Sequence, residues 1–239
     1  MKLSVLTYNI LFNQARTILK ELVDRYKPDI ICLQEVETTD SNLSKLNIEN
    51  YKFADFSNSF IQFNRVFGLV TFYNEQTLAY IDSKNFSLSR SFMETLLFIL
   101  RGPKNYRSVL KTEFQIKNNQ KKIISYNIHL TAFGSNGARN KQIKETFSDL
   151  DINSCEPTII TGDFNYPYGR KKFEKLIQKF DLKEATNELF FTQESRILGL
   201  FPIKLKLDYI LYKNITSLDT IRIAKRNSDH YPILSVFEV

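Results

Sequence analysis

Asn9, Glu35, His129, Asp163, Asn165, Asp208, Asp229 and His230 share a placement: each stands at the end of an apolar run or just before one. VLTYN ends at Asn9, IICLQE at Glu35 and IISYNIH at His129, and TIITGDFN carries Asp163 and Asn165. Asp208 precedes YILY, and Asp229 and His230 precede YPILSVFEV. In antiparallel neighbours one strand's start lies beside the other's end, so these clusters can meet at one edge. Carboxylates gathered there are costly unless paired or bound to a metal, so the set calls for a common cation. Carboxylates and amides with few histidines and no clustered cysteine suit a hard ion, magnesium or manganese, and not zinc. The chain has only two histidines, and both fall in these clusters. A lone histidine is usually a hydrogen-bonded structural residue, but that reading weakens when both stand at strand edges in such company.

The elements that must carry these residues can be read from periodicity. Residues 3–9 alternate as a strand, and 17–26 place Ile18, Leu19, Leu22, Val23 and Tyr26 on one helical face. Pro28 stops that helix, and 29–33 is a continuous apolar strand. Residues 67–73 and 78–81 read as strands, and 106–116 with 122–129 as a hairpin around Asn118, Asn119 and Gln120. Residues 137–150 and 170–180 read as helices, and 158–162 as a buried strand. Strands at 207–212, near Ile221 and at 231–239 close the chain. An alternating start followed by hairpins predicts an α/β sandwich, two mixed sheets packed face to face with helices outside. No repeat, low-complexity tract or Gly/Ser/Pro-rich linker marks a boundary, so residues 1–239 read as a single domain.

The bulk composition sets wider bounds. Hydrophobic residues make up 43% and charged residues 25%, which suits a globular protein that needs no staples. Cys32 and Cys155 sit in or beside apolar runs and read as small core residues, and two cysteines make no disulfide framework, which points to a reducing compartment or indifference to redox. The N-terminus MKLSVLTYNIL has no signal-peptide pattern, and the longest apolar stretch, 96–100, is too short for a bilayer. A cytoplasmic protein is therefore expected, as a monomer. The net charge of +7 would draw phosphate-bearing partners, although a lysine-rich genome gives the same balance with no such role.

TYNI (7–10), LQEV (33–36), NIHL (127–130), GDFN (162–165), LDYIL (207–211) and SDHYPI (228–233) together resemble the endonuclease/exonuclease/phosphatase superfamily. They stand in that family's order and span almost the whole chain. The resemblance implies a four-layer α/β sandwich and in-line attack of water on phosphorus. It implies that Glu35 binds Mg²⁺, with Mn²⁺ as a substitute, and that Asn9 and Asp229 are ligands or supports. It implies that Asp163 orients the water, Asn165 holds the phosphate, and His230, set by Asp208, contacts phosphoryl oxygens or moves a proton. His129 would stabilise developing charge or assist the leaving group. Arg107 resembles an arginine that some members place near the scissile phosphate; the plainer reading is a solvated arginine beside Lys104 and Lys111.

NIHL and the absence of tryptophan argue against the AP endonuclease branch and for the histidine-bearing one, which includes deoxyribonucleases, sphingomyelinases, deadenylases and tyrosyl-DNA phosphodiesterases. Two apolar segments with basic flanks, 92–104 and 197–206, read as core packing or as a greasy rim. Such a rim could stack bases on Phe92, Phe98 or Phe201, or meet a membrane. The expected function is a nuclease acting on DNA or RNA. The alternative is a phospholipid or inositol phosphate phosphoesterase at a membrane. A binding module that has lost the chemistry would show broken motifs, and these are complete.

Overall fold

The computed structural model describes residues 1–46, 48–62, 64–101, 107–132, 134–150, 155–197 and 201–239. Residues 102–104 and 198–200 of the two apolar segments, Lys104 among them, lie outside the described residues, as does the Phe98 side chain.

The chain opens on strand β1 (Lys2–Asn9), helix α1 (Arg16–Tyr26) and strand β2 (Ile30–Glu37), with β1 and β2 parallel. Alternate residues of β1 face opposite ways: Leu3 and Val5 join the core between the sheets, Leu6 and Tyr8 the core under α1. Burial on both faces explains the nearly unbroken apolar run. Helix α1 buries Ile18, Leu19, Leu22 and Val23 and ends at Lys27, whose left-handed backbone returns an N–H to the Val23 carbonyl.

After the short helix α2 (Asp40–Leu43) come β3 (Tyr51–Gln62), β4 (Arg65–Asn74) and β5 (Leu78–Leu88). Helix α3 (Phe92–Arg101) precedes the hairpin β6 (Arg107–Ile116) and β7 (Lys122–His129), then α4 (Asn136–Ser148) and β8 (Thr158–Asp163). Helix α5 (Arg170–Gln178) leads to β9 (Lys183–Glu184), β10 (Gln193–Ile197), β11 (Phe201–Leu205), β12 (Asp208–Lys213), β13 (Thr216–Arg222) and β14 (Ile233–Glu238).

Two six-stranded sheets form, in the orders β13-β14-β1-β2-β4-β3 and β5-β6-β7-β8-β12-β9. Each is mixed, through the parallel pairs β1–β2 and β7–β8. Ile30, Cys32, Phe114, Ile123, Ile159, Ile210 and Phe237 fill the space between them. Helix α1 packs on the outer face of the first sheet, and α4 and α5 on that of the second. The fold is the expected four-layer α/β sandwich.

Near one edge the core between the sheets turns polar. Gln34 Nε2 donates to Thr7 Oγ1 at 3.1 Å and to Asn127 Oδ1 at 2.8 Å. Asn127 Nδ2 donates to the carbonyls of Leu33 and Val70, each at 3.1 Å. These buried bonds join the two sheets and fix how their ends align.

Several elements depart from the sequence reading. Strand β3 was not expected, because polar Lys52, Asp55 and Asn58 and two bulges break its alternation. Residues 193–197 and 201–205 pair as a separate two-stranded ribbon, β10–β11. Cys155 is exposed, and only Cys32 is a core residue. No helix among the described residues is long and apolar enough to cross a membrane.

Candidate active site

Strand register brings the site together. Across the second sheet His129, Asp163 and Asp208 are direct neighbours on β7, β8 and β12. The first sheet adds Asn9 from the end of β1 and Glu35 from β2. Asn9 Nδ2 donates to Glu35 Oε1 at 3.2 Å and to Asp163 Oδ2 at 3.1 Å, so one amide links the two sheets. The turn before β14 supplies Asp229 and His230. Ser228 anchors it, donating to the Asn9 carbonyl at 2.8 Å and accepting the His230 N–H at 3.1 Å.

Backbone strain marks this edge. Glu35 has φ 57° and sits at a bulge between Gln34 and Val36, which lifts its side chain off the strand's alternation. Leu11, Phe12 and Asn13 are consecutively left-handed at φ 45°, 51° and 68°, and Asn9 Oδ1 caps their turn through the Leu11 N–H at 3.1 Å. Asn165, also left-handed at φ 48°, donates its N–H to Asp163 Oδ1 at 2.8 Å.

The protons follow from burial and charge. Burial pushes the Asp163 carboxyl up to about 7; the charge of His230 opposes that rise and the charge of Asp208 adds to it. Burial pushes His230 down, but Asp208 and Asp163 outweigh it and raise the imidazole to about 10. His230 is therefore an imidazolium at neutral pH. Its Nδ1–H donates to Asp208 Oδ2 at 2.8 Å, and its Nε2 lies 3.8 Å from Asp163 Oδ2. Burial, then Arg107 and His230, hold His129 well below its ordinary value, so this ring is neutral. His129 Nε2 stands 3.6 Å from Asp163 Oδ2 and 3.8 Å from Glu35 Oε1, and its Nδ1 is buried without a hydrogen-bond partner among the described residues.

Two groups offer themselves to a cation. Ligand atoms of Asp163, Asp208 and His230 lie within 4.8 Å of one another. However, His230 Nδ1 and Asp208 Oδ2 are already engaged with each other at 2.8 Å. Glu35 is the better centre. Burial raises its carboxyl, against the pull of the Asn9 bond, and its Oε2 is buried with no partner among the described residues. A carboxylate oxygen left in that state, with an amide and Asp229 in the same clusters, fits a hard divalent ion.

Arg107 is buried, not solvated. Its Nε donates to Glu94 Oε1 of α3 at 3.0 Å, and its guanidinium lies 5.3 Å from the Phe60 ring centre. Phe60 in turn meets the His129 ring edge-on at 5.8 Å, so Arg107 stands a layer behind the histidine, with Nη1 unpartnered among the described residues. Of the basic residues that flank the second apolar segment, Lys206 is paired with Glu184 at 2.8 Å.

Sequence reasoning missed Thr192, Gln193 and Arg226. Thr192 Oγ1 donates to Asp208 Oδ2 at 2.7 Å, and Gln193 Nε2 to Asp229 Oδ2 at 2.9 Å. Arg226 Nη1 donates to the carbonyls of Glu194, Ser228 and Asp229 at 3.0, 3.0 and 2.8 Å. The only sequence signal was a polar pair directly after Phe190-Phe191 and an arginine beside the SDH motif.

A family model described as "Endonuclease/Exonuclease/phosphatase family" matches residues 6–230. A protein of Erwinia tasmaniensis described as a UPF0294 protein is 25% identical over 241 residues, covering 100% of this chain and 82% of that one. An endonuclease/exonuclease/phosphatase structure from Bacteroides vulgatus superposes with TM-score 0.78 at 18% identity, covering 100% and 99% of the two chains. The human Nocturnin catalytic domain with bound sulfate gives 0.76 at 19%, covering 99% and 94%. D. rerio TDP2 complexed with a single-strand DNA product gives 0.72 at 13%, covering 100% and 99%.

Proposed function

The chain belongs to the endonuclease/exonuclease/phosphatase family, and from that membership we propose a divalent-metal-dependent phosphodiester hydrolase that acts on nucleic acid. The observation that carries the chemistry is Asn9 bridging Glu35 and Asp163 beside the Asp208–His230 pair. The net charge of +7 and the likeness to a protein complexed with single-strand DNA support the substrate.

Glu35, with Asn9 and Asp229, would hold Mg²⁺ or Mn²⁺. Bound there, the ion would supply a Lewis acid for the phosphoryl oxygens. Asp163 orients a water for in-line attack, and a carboxyl near 7 is poised to take its proton. His230 presents a charged N–H from Nε2 to the phosphoryl group, with Asp208 fixing its ring. Asn165 commits one Nδ2 hydrogen to the Leu130 carbonyl at 3.2 Å and holds the phosphate with the other. His129, neutral, donates to charge growing on the leaving side, and Arg107 adds positive potential from behind.

The test is cleavage of plasmid, single-stranded DNA and RNA, alongside a generic aryl phosphodiester, with Mg²⁺ and Mn²⁺. Asp163→Asn and His230→Ala are expected to lower turnover by roughly 10²–10⁴-fold with the fold retained by circular dichroism. Near wild-type activity in either overturns the assignment of roles. If only the generic ester is cut, nucleic acid is the wrong substrate.

A second reading, a lipid phosphoester at a membrane, is favoured by exposed apolar residues of α3. Phe92, Met93, Leu96 and Ile99 on that helix are 84%, 46%, 41% and 72% exposed. Sedimentation with anionic vesicles that Phe92→Ser/Ile99→Ser abolishes would favour it over the nucleic-acid reading.

A further inference from the structure

The dipeptide Thr192-Gln193 belongs to neither main sheet, yet it touches both halves of the site. Its backbone is stitched to the turn that carries His230. Glu194 N–H donates to the Asp229 carbonyl and Tyr231 N–H to the Thr192 carbonyl, both at 2.8 Å, and Gln193 forms a bridge with His230. Both side chains are buried, Thr192 at 0% exposure and Gln193 at 6%.

The hydroxyl of Thr192 has one possible orientation. It accepts the N–H groups of Leu207 at 3.0 Å and Asp208 at 2.9 Å, which uses both lone pairs. Its single hydrogen then goes to Asp208 Oδ2, at 2.7 Å. That same oxygen accepts from His230 Nδ1. Thr192 thereby fixes the carboxylate that fixes the imidazole. Gln193 has a matching constraint. Its Nε2 faces Asp229 Oδ2, and exchanging the amide's ends would set two acceptors against each other. Its Oε1 is buried without a partner among the described residues, a cost the fold carries to keep the donor on Asp229.

We infer that Thr192 and Gln193 are positioning residues with separate duties: Thr192 sets the Asp208–His230 pair, and Gln193 sets Asp229 toward the cation. The Gln193 half rests on the metal reading above.

The test uses Thr192→Val, Thr192→Ser and Gln193→Leu in the full chain, with two readouts. The first is the downfield proton signal of His230 Nδ1–H in EDTA-treated protein, which involves no reaction. The second is Mn²⁺ binding followed by electron paramagnetic resonance. Thr192→Val is expected to shift or lose the His230 signal, lower kcat with KM unchanged, and leave Mn²⁺ affinity within about twofold. Thr192→Ser restores the signal. Gln193→Leu is expected to keep the His230 signal and weaken Mn²⁺ binding by roughly 10–100-fold. Thr192→Val with an unmoved signal overturns the first half. Both substitutions moving both readouts alike overturns the separation and leaves a common structural role. Absence of Mn²⁺ binding by the wild type overturns the metal reading and the Gln193 half with it, while the proton signal still decides Thr192.

Discussion

At the scale of residues, the two histidines share one pocket in opposite charge states. His230 gains two carboxylates, and His129 faces Arg107 and the His230 charge. This division gives the site one charged and one neutral ring to offer a phosphoryl group. Both His230 and Asp163 have folded values above their ordinary ones, so each contributes stability at low pH that is lost as pH rises. For Asp163 the contribution is present below 3.8 and lost through about 7; for His230 it is present below 6.5 and lost through about 10. In EDTA-treated protein the wild type should lose melting temperature relative to Asp163→Asn between pH 5 and 8. Nitrogen-detected NMR should show His230 doubly protonated up to pH 9 and His129 still neutral below its ordinary value of 6.5. A His230 that titrates near 6.5 would show that Asp208 does not hold it. The types of these residues were legible in the sequence, because polar groups ending apolar runs stand out. Their charge states were not, since those depend on which carboxylates the fold places beside each ring.

At the scale of elements, the site is a set of strand ends held in register. Strand β8 shows why its motif needs glycine. Gly162 has φ 140°, and a Cβ there would lie 2.0 Å from the Ile128 carbonyl oxygen on β7. Gly162→Ala should destabilise the chain by about 2–4 kcal/mol in urea unfolding and push His129 and Asp163 out of line. Unchanged stability would mean β7 and β8 can separate without cost. The ribbon β10–β11 has a different anchor in Arg226, which also stacks over Tyr231 at 4.2 Å. Arg226→Lys keeps the charge but loses the flat guanidinium that lies over Tyr231 while its Nη1 reaches the three carbonyls. Hydrogen exchange should then quicken at residues 193–197 and 228–231 while β7 and β8 stay protected. Strands buried on both faces, such as β1, β2 and β8, announce themselves as apolar runs. β3 and β10 do not, because each lies at an edge or outside the sheets and mixes polar with apolar residues. Thr192, Gln193 and Arg226 went unread for the same reason: their work is hydrogen bonding to backbone and carboxylates, which leaves no period in the sequence.

At the scale of the whole molecule, the site exists only where the two sheets meet. Glu35 and Asn9 come from one sheet and His129, Asp163 and Asp208 from the other. The Asn9–Asp163 and Gln34–Asn127 bonds cross the seam, so any sliding of the sheets breaks the site before it exposes the core. That scaffold fixes the chemistry and leaves the substrate to the surface, where the sequence offered only charge and two apolar segments. The +7 charge makes a distinct claim. If the substrate is a polyanion, binding releases counterions, and log kcat/KM at low substrate should fall linearly with log salt. The slope is about −0.7 per neutralised phosphate for single strands and about −0.9 for duplex DNA. An aryl phosphodiester carries one charge and should show almost no slope under the same conditions. Measuring both substrates between 50 and 300 mM NaCl, at fixed free Mg²⁺, separates steering by the protein's field from any effect of salt on the site itself. Parallel slopes for the two substrates would show that the positive charge plays no part in substrate capture, and the nucleic-acid reading would lose its electrostatic support.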